Sequence, residues 1–323
     1  TGGCGFIGSH LVETLINKGN KVIIVDDLST GHISNINNFI TNKKLIFVKS
    51  SILNKNIGKY FKKIDTVFHL AAQSDIVPSI ENPNKYFDIN VKGTLNILNF
   101  VREYKIKKFI YAASSSCYGI PKKYPTPENE RILPEYPYAL TKRMGEELVI
   151  HFAKVYKLNT TSLRFFNVYG PRARTSGTYG AVFGVFLAQK LANKPFTIVG
   201  DGKQKRDFTY VSDIVDAIIK TSKRKNLKGK IYNVGSGRTI SINKIVKLLG
   251  GKKIFIPKRP GEPDITFADI KKIKKDVNWK PKISIEKGIK IILKSLYYWQ
   301  DAPVWTPEKI KKATKKWFFY LKK

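Results

Sequence analysis

Short apolar strand patterns alternate with helical patterns through the first half of the chain, and this alternation constrains the fold more than any other feature. The strand candidates are rich in β-branched and aromatic residues and comprise residues 21–27, 44–50, 65–72, 107–114 and 160–168. The helical patterns between them comprise residues 9–19, 90–105 and 138–157. Continuous apolar strands separated by helices predict a parallel sheet that helices cover on both faces. We therefore expect a doubly wound α/β fold, whose ligands bind at the carboxyl ends of the strands.

The pattern changes after about residue 170, where the chain becomes richer in loops. GPRARTSGTYG (170–180), GDGKQKRDF (200–208) and PKRPGEPD (257–264) all carry glycine and a basic residue. Such stretches predict a smaller lobe that supplies loops to a cleft. We expect a first domain over residues 1–169, to which residues 207–236 return. The second lobe is then expected over residues 170–206 and 237–323.

The chain is strongly basic, with 59 basic and 24 acidic residues and a formal net charge of +35. A charge of this size raises the hypothesis of a nucleic-acid or other polyanion partner. However, Lys outnumbers Arg by 49 to 10, and the lysines are scattered along the chain. Proteins that contact nucleic-acid bases favour Arg and interleaved aromatic residues. We therefore favour a solvated lysine-rich surface, and keep a non-enzymatic scaffold that binds RNA as the alternative.

Cysteine content and apolar runs indicate the compartment. Cys4 and Cys117 are the only cysteines, which offers no disulfide framework and is typical of a reducing cytosol. The longest apolar runs are about half of a bilayer span, so we expect no transmembrane helix. No signal peptide is visible either. These features predict a cytoplasmic protein.

The last 19 residues, 305–323, have the sequence of a helix start followed by a helical apolar face. Thr306 suits the N-cap position and Pro307 the first helical position. Ile310, Ala313, Trp317 and Leu321 then follow near helical spacing. We expect a packed terminal helix, with a membrane-surface helix as the alternative.

A glycine run opens the chain and leads directly into the first helical pattern. Gly2, Gly5 and Gly8 are spaced as GxxGxxG, and the helix start after them presents amides and a positive dipole end to a pyrophosphate. Asp26 ends the next strand, 18 residues after Gly8, where a carboxylate can bind both adenosine ribose hydroxyls. Because a carboxylate repels a 2′-phosphate, the pair favours NAD over NADP.

A glycine run of this kind normally follows a strand, and the sequence begins at Thr1 without one. That strand lies in the middle of the sheet in this fold, so its absence would leave buried ladder groups unpaired. We therefore expect the natural chain to carry roughly half a dozen further residues ending in an apolar strand.

Tyr138 and Lys142 form a YxxxK pair on the third helical pattern, where positions i and i+4 share a face. A neighbouring ammonium favours the phenolate, so we expect Lys142 to lower the pKa of Tyr138 and let it act as an acid-base group. Ser114 ends the preceding strand and can hydrogen-bond the substrate hydroxyl that Tyr138 deprotonates.

Taken in order, these motifs resemble the extended short-chain dehydrogenase/reductase family, and more narrowly its NAD-dependent nucleotide-sugar 4-epimerases. The resemblance covers nearly the whole chain and implies a Rossmann-type fold. It rests on TGGCGFIGSH, the Asp-Asp-Leu after the second strand, HLAA (69–72), DINVKGT (88–94), ASSSCYG (113–119), YxxxK, LRFFNVYGPR (163–172), GDGKQKRDF and KRPGEPD.

The resemblance implies roles for residues at the matching positions. For NAD they are Gly2, Gly5, Phe6, Ile7, Gly8, Asp26, Ser51, Ile52, Leu70, Ala71, Ala72, Asn90, Lys142 and Phe165. For the catalytic step they are Ser114, Tyr138 and Lys142, and for a UDP-sugar they are Ser114, Tyr138, Asn167, Ala181, Val182, Arg206, Arg259, Glu262 and Thr266. Within that set, Asn167, Arg206 and Arg259 would hold the diphosphate and Glu262 the uridine ribose. Ser51 stands where the family usually has an aspartate, which implies weaker cofactor binding.

The implied reaction is inversion at C4 of a UDP-hexose through a transient 4-keto sugar, with no net redox change and no metal. The 4,6-dehydratases of similar sequence use an Asp-Glu pair where this chain has Ser115 and Ser116. The 3,5-epimerases use a catalytic cysteine, and Cys117 lies one position away from the matching place in this chain. We therefore expect Cys117 to be a buried apolar residue. UDP-glucuronate 4-epimerase and decarboxylase activities stay open.

Two finer expectations come from the same resemblance. Thr266 occupies a position that gates the space around the sugar 2-substituent, and a small residue there admits an N-acetyl group. This favours UDP-GlcNAc and UDP-GalNAc over UDP-glucose and UDP-galactose. The helices over 84–104 and 138–157 are similar to those that form a four-helix interface in relatives, which implies a homodimer. A role in cell-surface polysaccharide synthesis is implied by the family alone.

Overall fold

The computed structural model describes residues 1–173 and 180–321. Its helices are α1 (Phe6–Asn17), α2 (Ile76–Glu81), α3 (Pro83–Phe87), α4 (Thr94–Glu103), α5 (Pro137–Val155), α6 (Val182–Leu191), α7 (Val211–Ser222), α8 (Ile242–Leu249), α9 (Lys271–Val277), α10 (Ile285–Leu293), α11 (Pro307–Ala313) and α12 (Lys315–Leu321). Part of the loop predicted at 170–180, residues 174–179, lies outside the described residues.

The strands are short, and each predicted strand of the first half contains one. They are β1 (Val22–Asp26), β2 (Leu45–Lys49), β3 (Thr66–His69), β4 (Lys108–Ser114), β5 (Thr160–Phe165), β6 (Val168–Tyr169), β7 (Phe196–Val199), β8 (Lys205–Arg206), β9 (Thr209–Tyr210), β10 (Lys230–Val234), β11 (Ile240–Ser241) and β12 (Lys253–Ile256). Strand β5 is buried at all six positions, although only Leu163 and Phe165 in it are apolar.

The central sheet is parallel and has the strand order β10-β5-β4-β3. A second parallel pair, β1 and β2, lies next to it. Residues 1 and 2 connect the two, because the Gly2 amide donates to the Val25 carbonyl at 3.0 Å and the Leu70 amide donates to the Thr1 carbonyl at 3.2 Å. Helices flank this layer, so the predicted doubly wound α/β class is confirmed.

The helix predicted over 90–105 differs from the observed one. A π-helical segment, Asp88–Gly93, precedes α4, which begins at Thr94. Asn90 in this segment is 1% exposed and bonds both the backbone of Gln73 and the hydroxyl of Thr141. Such widened turns are frequent at functional sites. Here the turn carries Asn90, which binds residues on two other elements.

The second half builds its own apolar core around α6, β7, α8 and α10. Two short parallel pairs, β12 with β7 and β6 with β9, and one antiparallel pair, β11 with β8, complete it. Strand β10 joins β5 of the central sheet and so lies with the first half. The proposed domain boundaries at residues 169, 206 and 236 stay a prediction.

The end of the chain packs as expected, with one interruption. Thr306 is the N-cap of α11, its hydroxyl accepts from the Lys309 amide at 3.4 Å, and Pro307 occupies the first turn. The helix ends at Ala313, and a second one, α12, carries Trp317, which is 1% exposed. Across residues 1–173 and 180–321, none of the helices combines the length and apolar character that a bilayer crossing needs.

Candidate functional site

A cavity of about 600 Å³ lies at the carboxyl ends of β1, β3, β4 and β5 and is bounded on its far side by the second half of the chain. This volume falls in the usual range for small-molecule and cofactor sites. All of the residues that the sequence predicts for the site line it, except Ser51, Asn90 and Lys142. The structure therefore brings together residues that are up to 264 positions apart, from Gly2 to Thr266.

The glycine loop is built for close backbone approach. Gly2 has φ +72°, and a Cβ there would overlap the backbone of Ala71. A Cβ on Gly8 would overlap the Gly2 carbonyl, which itself accepts from the Gly5 amide. Gly5 is the N-cap of α1 and has no side chain with which to cap the first turn. The start of α1 thus presents its backbone to the cavity, as a pyrophosphate requires.

Asp26 ends β1 and lies on the cavity wall, 8% exposed. Its carboxylate accepts from the Cys4 and Leu28 amides, each at 2.9 Å, and these two bonds fix its orientation. Gly2, Gly5 and Gly8 together form what we call the glycine cradle. This cradle and the Asp26 carboxylate fit a dinucleotide whose ribose carries free hydroxyls. Ser51 does not line the cavity; its hydroxyl accepts from the Leu53 amide, and the neighbouring Ser50 takes the place on the wall.

Ser114 and Tyr138 meet on the opposite side of the cavity. Ser114 is the last residue of β4, Tyr138 lies in the first turn of α5, and a hydrogen bond joins their side chains. Ser116 forms a second hydrogen bond with the Ser114 hydroxyl at 2.8 Å. The Tyr136 ring lies parallel to the Tyr138 ring at 6.5 Å, and Tyr86 meets it edge-on at the same centroid distance. These contacts hold the phenol beside the serine.

The expected lowering of the Tyr138 pKa is wrong for the chain by itself. Burial raises the pKa of Tyr138, and the hydrogen bond from Ser114 opposes that rise. Lys142 does not contribute because its ammonium lies 4.3 Å from the centroid of the Tyr111 ring, and burial lowers the pKa of Lys142 to about 7. The i, i+4 spacing placed both residues on one helix face, but it carried no information on their burial.

Two arginines and one carboxylate lie on the wall formed by the second half. The Arg259 guanidinium is 2.9 Å from the Glu262 carboxylate, and that of Arg206 is 3.9 Å from it. Burial lowers the pKa of Arg206, the Glu262 carboxylate opposes this, and the Arg259 charge adds to it. Two nearly buried guanidiniums that share one carboxylate retain a net positive charge, which suits a diphosphate.

Asn167 and Thr266 form a hydrogen-bonded pair at the cavity wall. The Asn167 amide nitrogen donates to the Thr266 hydroxyl at 2.8 Å and to the Asp207 carbonyl at 3.1 Å. Both amide hydrogens of Asn167 are therefore used within the protein, and its contact with a diphosphate stays a prediction. The Thr266 side chain is held in place by the same bond, next to the Arg206 segment.

Sequence reasoning missed two buried carboxylates that organise the site. Asp207 accepts from the amides of Ser236, Gly237 and Ala268 at 2.6–3.1 Å and so joins three segments beside Arg206; burial raises its pKa to about 6. Glu146 lies one turn after Lys142 on α5 and pairs with Arg164 of β5. Asp207 follows Lys205 and Arg206, and Glu146 stands beside Glu147, so the local sequence carries no signal that either carboxylate is buried.

The residues next to Ser114 differ from the acid-base groups expected for dehydration or 3,5-epimerisation. Ser115 and Ser116 offer hydroxyls on the cavity wall in place of an acid-base carboxylate pair. Cys117 is 2% exposed, as predicted, and burial raises the pKa of its thiol to about 12. A thiol in this state is a poor acid-base group near neutral pH. In the part of the chain that the structure describes, no cluster of His, Cys, Asp and Glu could hold a metal ion.

Comparison with known proteins gives one family. The family model described as GDP-mannose 4,6 dehydratase matches residues 1–292. The chain is 39% identical over 302 residues to a putative UDP-glucose 4-epimerase of Methanocaldococcus jannaschii. The match covers 91% of this chain and 96% of that protein.

Solved structures give the same result. A UDP-N-acetylglucosamine 4-epimerase of Methanobrevibacter ruminantium, in complex with UDP-N-acetylmuramic acid, is 32% identical with a TM-score of 0.85 and covers 91% of this chain and 97% of its own. A UDP-glucuronic acid 4-epimerase of Bacillus cereus, in complex with UDP-glucuronic acid and NAD, is 32% identical with a TM-score of 0.86. The match covers 92% of this chain and 97% of that one.

Proposed function

Because the chain belongs to the GDP-mannose 4,6 dehydratase family of extended short-chain dehydrogenases/reductases, we propose that it epimerises a UDP-sugar at C4 with bound NAD. The observation that carries this proposal is a single cavity with three chemical regions. It contains a glycine cradle with Asp26, the Ser114 and Tyr138 pair, and the Arg206 and Arg259 pair. A dinucleotide, a sugar hydroxyl and a diphosphate each have matching groups there.

NAD, when bound, supplies the oxidation and reduction at C4. The chain's own residues bind it through the glycine cradle and Asp26, and orient the sugar against Ser114 and Tyr138. In its phenolate form, Tyr138 takes the proton of the 4-hydroxyl and returns one on the other face, while Ser114 hydrogen-bonds the same oxygen. Lys142 has a pKa of about 7, set by burial, so it can exchange a proton near neutral pH on the same helix as Tyr138.

The Arg206 and Arg259 pair is proposed to hold the diphosphate. Both side chains are 15% exposed, so a bound phosphate would meet them with little intervening water. Among the described residues of the cavity wall they are the only Lys or Arg side chains. If both arginines hold the diphosphate, none of these cations pairs with the carboxylate of a UDP-glucuronate, and this supports an uncharged hexose.

Between the uncharged hexoses, we propose a preference for UDP-GlcNAc and UDP-GalNAc. Thr266 supports it, since its short side chain is tied to Asn167 and leaves the neighbouring cavity space open. One relative acts, by its name, on UDP-N-acetylglucosamine and another on UDP-glucuronic acid, so the family alone does not choose the sugar.

Purified protein offered UDP-GlcNAc, UDP-glucose and UDP-glucuronate should turn over UDP-GlcNAc with the highest kcat/KM. Thr266→Tyr should lower kcat/KM for UDP-GlcNAc by about 10- to 200-fold and that for UDP-glucose much less, because a ring there fills the N-acetyl space. The change is measured by separating the epimers after timed reactions.

Thr266→Ser, which retains the hydroxyl that Asn167 bonds, is the matched control and should keep the preference. Turnover of UDP-glucose with none of UDP-GlcNAc would contradict the preference while leaving 4-epimerisation intact. Turnover of UDP-glucuronate alone would assign the chain to the glucuronate epimerases instead.

We also propose a homodimer formed through α4 and α5. Apolar side chains are exposed along these helices, including Leu95 (37%), Leu140 (50%) and Val155 (50%). Exposed apolar side chains on adjacent helices suit the core of a symmetric helical interface.

Sedimentation at micromolar concentration should give twice the chain mass of 36.7 kDa. Leu140→Glu should shift the protein to monomer because it places a charge in that interface. Ile46→Glu, at an equally exposed apolar residue on β2, should leave the dimer intact. A wild-type protein that sediments only as a monomer would refute the proposal.

A further inference from the structure

The C-terminal segment, residues 299–321, lies beyond the 292 residues that the family model matches and yet packs against the candidate site. Pro303 and Trp305 line the cavity itself. The Trp305 carbonyl accepts from the Gln189 amide at 2.7 Å, and the same amide bonds Thr197 on the cavity wall. This part of the segment is therefore fixed to the second half of the chain at the edge of the cavity.

Trp317 is the buried anchor of α12. Its indole N–H donates to the Pro260 carbonyl at 3.0 Å, and its ring lies 5.2 Å from that of Tyr136. Tyr136 in turn stacks on Tyr138. One side chain thus contacts both the loop that carries Arg259 and the aromatic residue beside the predicted acid-base group.

The loop from Arg259 to Glu262 lies beside α12. Gly261 has φ +74°, and a Cβ placed there would lie 3.7 Å from Leu321 and 3.8 Å from Glu135. Arg259, Gly261 and Glu262 line the cavity, while the Pro260 carbonyl accepts from Trp317 of α12. The loop is therefore held between a cavity on one side and the last helix on the other.

We propose that residues 303–321 form a brace that positions the Arg259–Glu262 loop for the diphosphate of the nucleotide sugar, with Trp317 as its positioning residue. This rests on the proposed function for the identity of the ligand. A guanidinium contributes to binding only when its N–H groups are positioned to hydrogen-bond the phosphate. Displacing the loop therefore weakens the affinity for the nucleotide sugar and leaves the distant glycine cradle intact. The brace thus acts on nucleotide-sugar binding and not on NAD.

Trp317→Leu should raise the Kd for UDP, measured by titration calorimetry, by about tenfold, equivalent to about 1.4 kcal/mol. The KM for the sugar nucleotide should rise in parallel, while kcat and the amount of bound NAD stay within about twofold. Trp317→Phe keeps the ring and loses the N–H donor, so a smaller rise of about threefold to fivefold is expected. Phe319→Leu is the matched control, because Phe319 lies on the same helix and is 77% exposed.

Wild-type affinity for UDP in both Trp317 variants would overturn the brace. If Trp317→Leu loses NAD or fails to fold, Trp317→Phe becomes the test. A wild-type UDP affinity in Trp317→Phe would then overturn the brace. Failure of the proposed function is distinguishable, because a wild-type protein that binds UDP without epimerising any UDP-sugar refutes the activity. The brace is then judged by UDP affinity alone.

Discussion

Replacing Tyr138 by phenylalanine is expected to lower kcat for epimerisation by about 10²- to 10⁴-fold, the usual contribution of a positioned acid-base group. The phenylalanine ring keeps the stacking with Tyr136 and the edge contact with Tyr86, so the packing of the site is retained. Only the hydroxyl that bonds Ser114 is lost. Because the proton of the sugar hydroxyl then has no acceptor, the chemical step slows while binding persists.

The measurement pairs turnover with binding. NAD content and the Kd for UDP should stay near wild-type values, since Asp26 and the two arginines lie elsewhere in the cavity. Tyr156→Phe, at the end of the same helix and 42% exposed, should retain full activity. A Tyr138→Phe enzyme with more than a tenth of wild-type kcat would remove Tyr138 from the acid-base role.

The same preparation tests the non-enzymatic alternative. If the net charge of +35 serves RNA binding, the protein should bind RNA with a steep salt dependence and turn over no sugar nucleotide. Epimerisation by the wild-type protein that Tyr138→Phe abolishes would contradict that alternative.

Arg164→Met is expected to reduce the free energy of unfolding by about 3 kcal/mol, because it removes the fully buried partner of Glu146 and leaves that carboxylate only Arg143, which is 20% exposed, and the Ser162 hydroxyl. The Arg164 guanidinium is 2.7 Å from Glu146, and both side chains are 1% exposed. It also donates to the Tyr118 hydroxyl and the Glu128 carbonyl. The Glu146 carboxylate stabilises the charged form of the Arg164 guanidinium. The pKa of Arg164 is therefore raised, although burial alone would lower it.

Denaturant unfolding followed by fluorescence gives the change. The double variant Glu146→Met with Arg164→Met should be less destabilised than Arg164→Met, since it buries no unpaired charge. Lys107→Met, which breaks an ion pair that is 76% exposed on both sides, should leave the transition midpoint unchanged. A loss of less than about 1 kcal/mol in Arg164→Met would contradict the prediction and show that Arg143 alone stabilises the Glu146 carboxylate.

The parts of the fold that the sequence predicted well are those where local pattern and burial agree. Strand β5 follows a helical pattern and contains two β-branched residues and an aromatic one, and all six of its residues are buried. The glycine loop and Asp26 could be placed because one helix, one turn and one strand set their spacing, and both line the cavity.

Other features depend on contacts between distant segments, and the pattern carries no trace of them. The pKa of Tyr138 follows its burial and not its spacing from Lys142. Asn90 was predicted to line the cofactor cleft, yet its side chain is used to join Gln73 to Thr141. Trp317 was predicted to be buried, but nothing near it in sequence indicates that its partner is Pro260.

The pairing of β10 with β5 also bears on how the chain is made. Val234 lies opposite Phe165, 69 residues earlier, so during synthesis β5 waits for its neighbour for about 3–14 s at 5–20 residues per second. Throughout that interval the unpaired backbone groups along one edge of β5 are open to other nascent chains. Slow translation between residues 166 and 230 should therefore increase aggregation, and fast translation there should favour the yield of native protein.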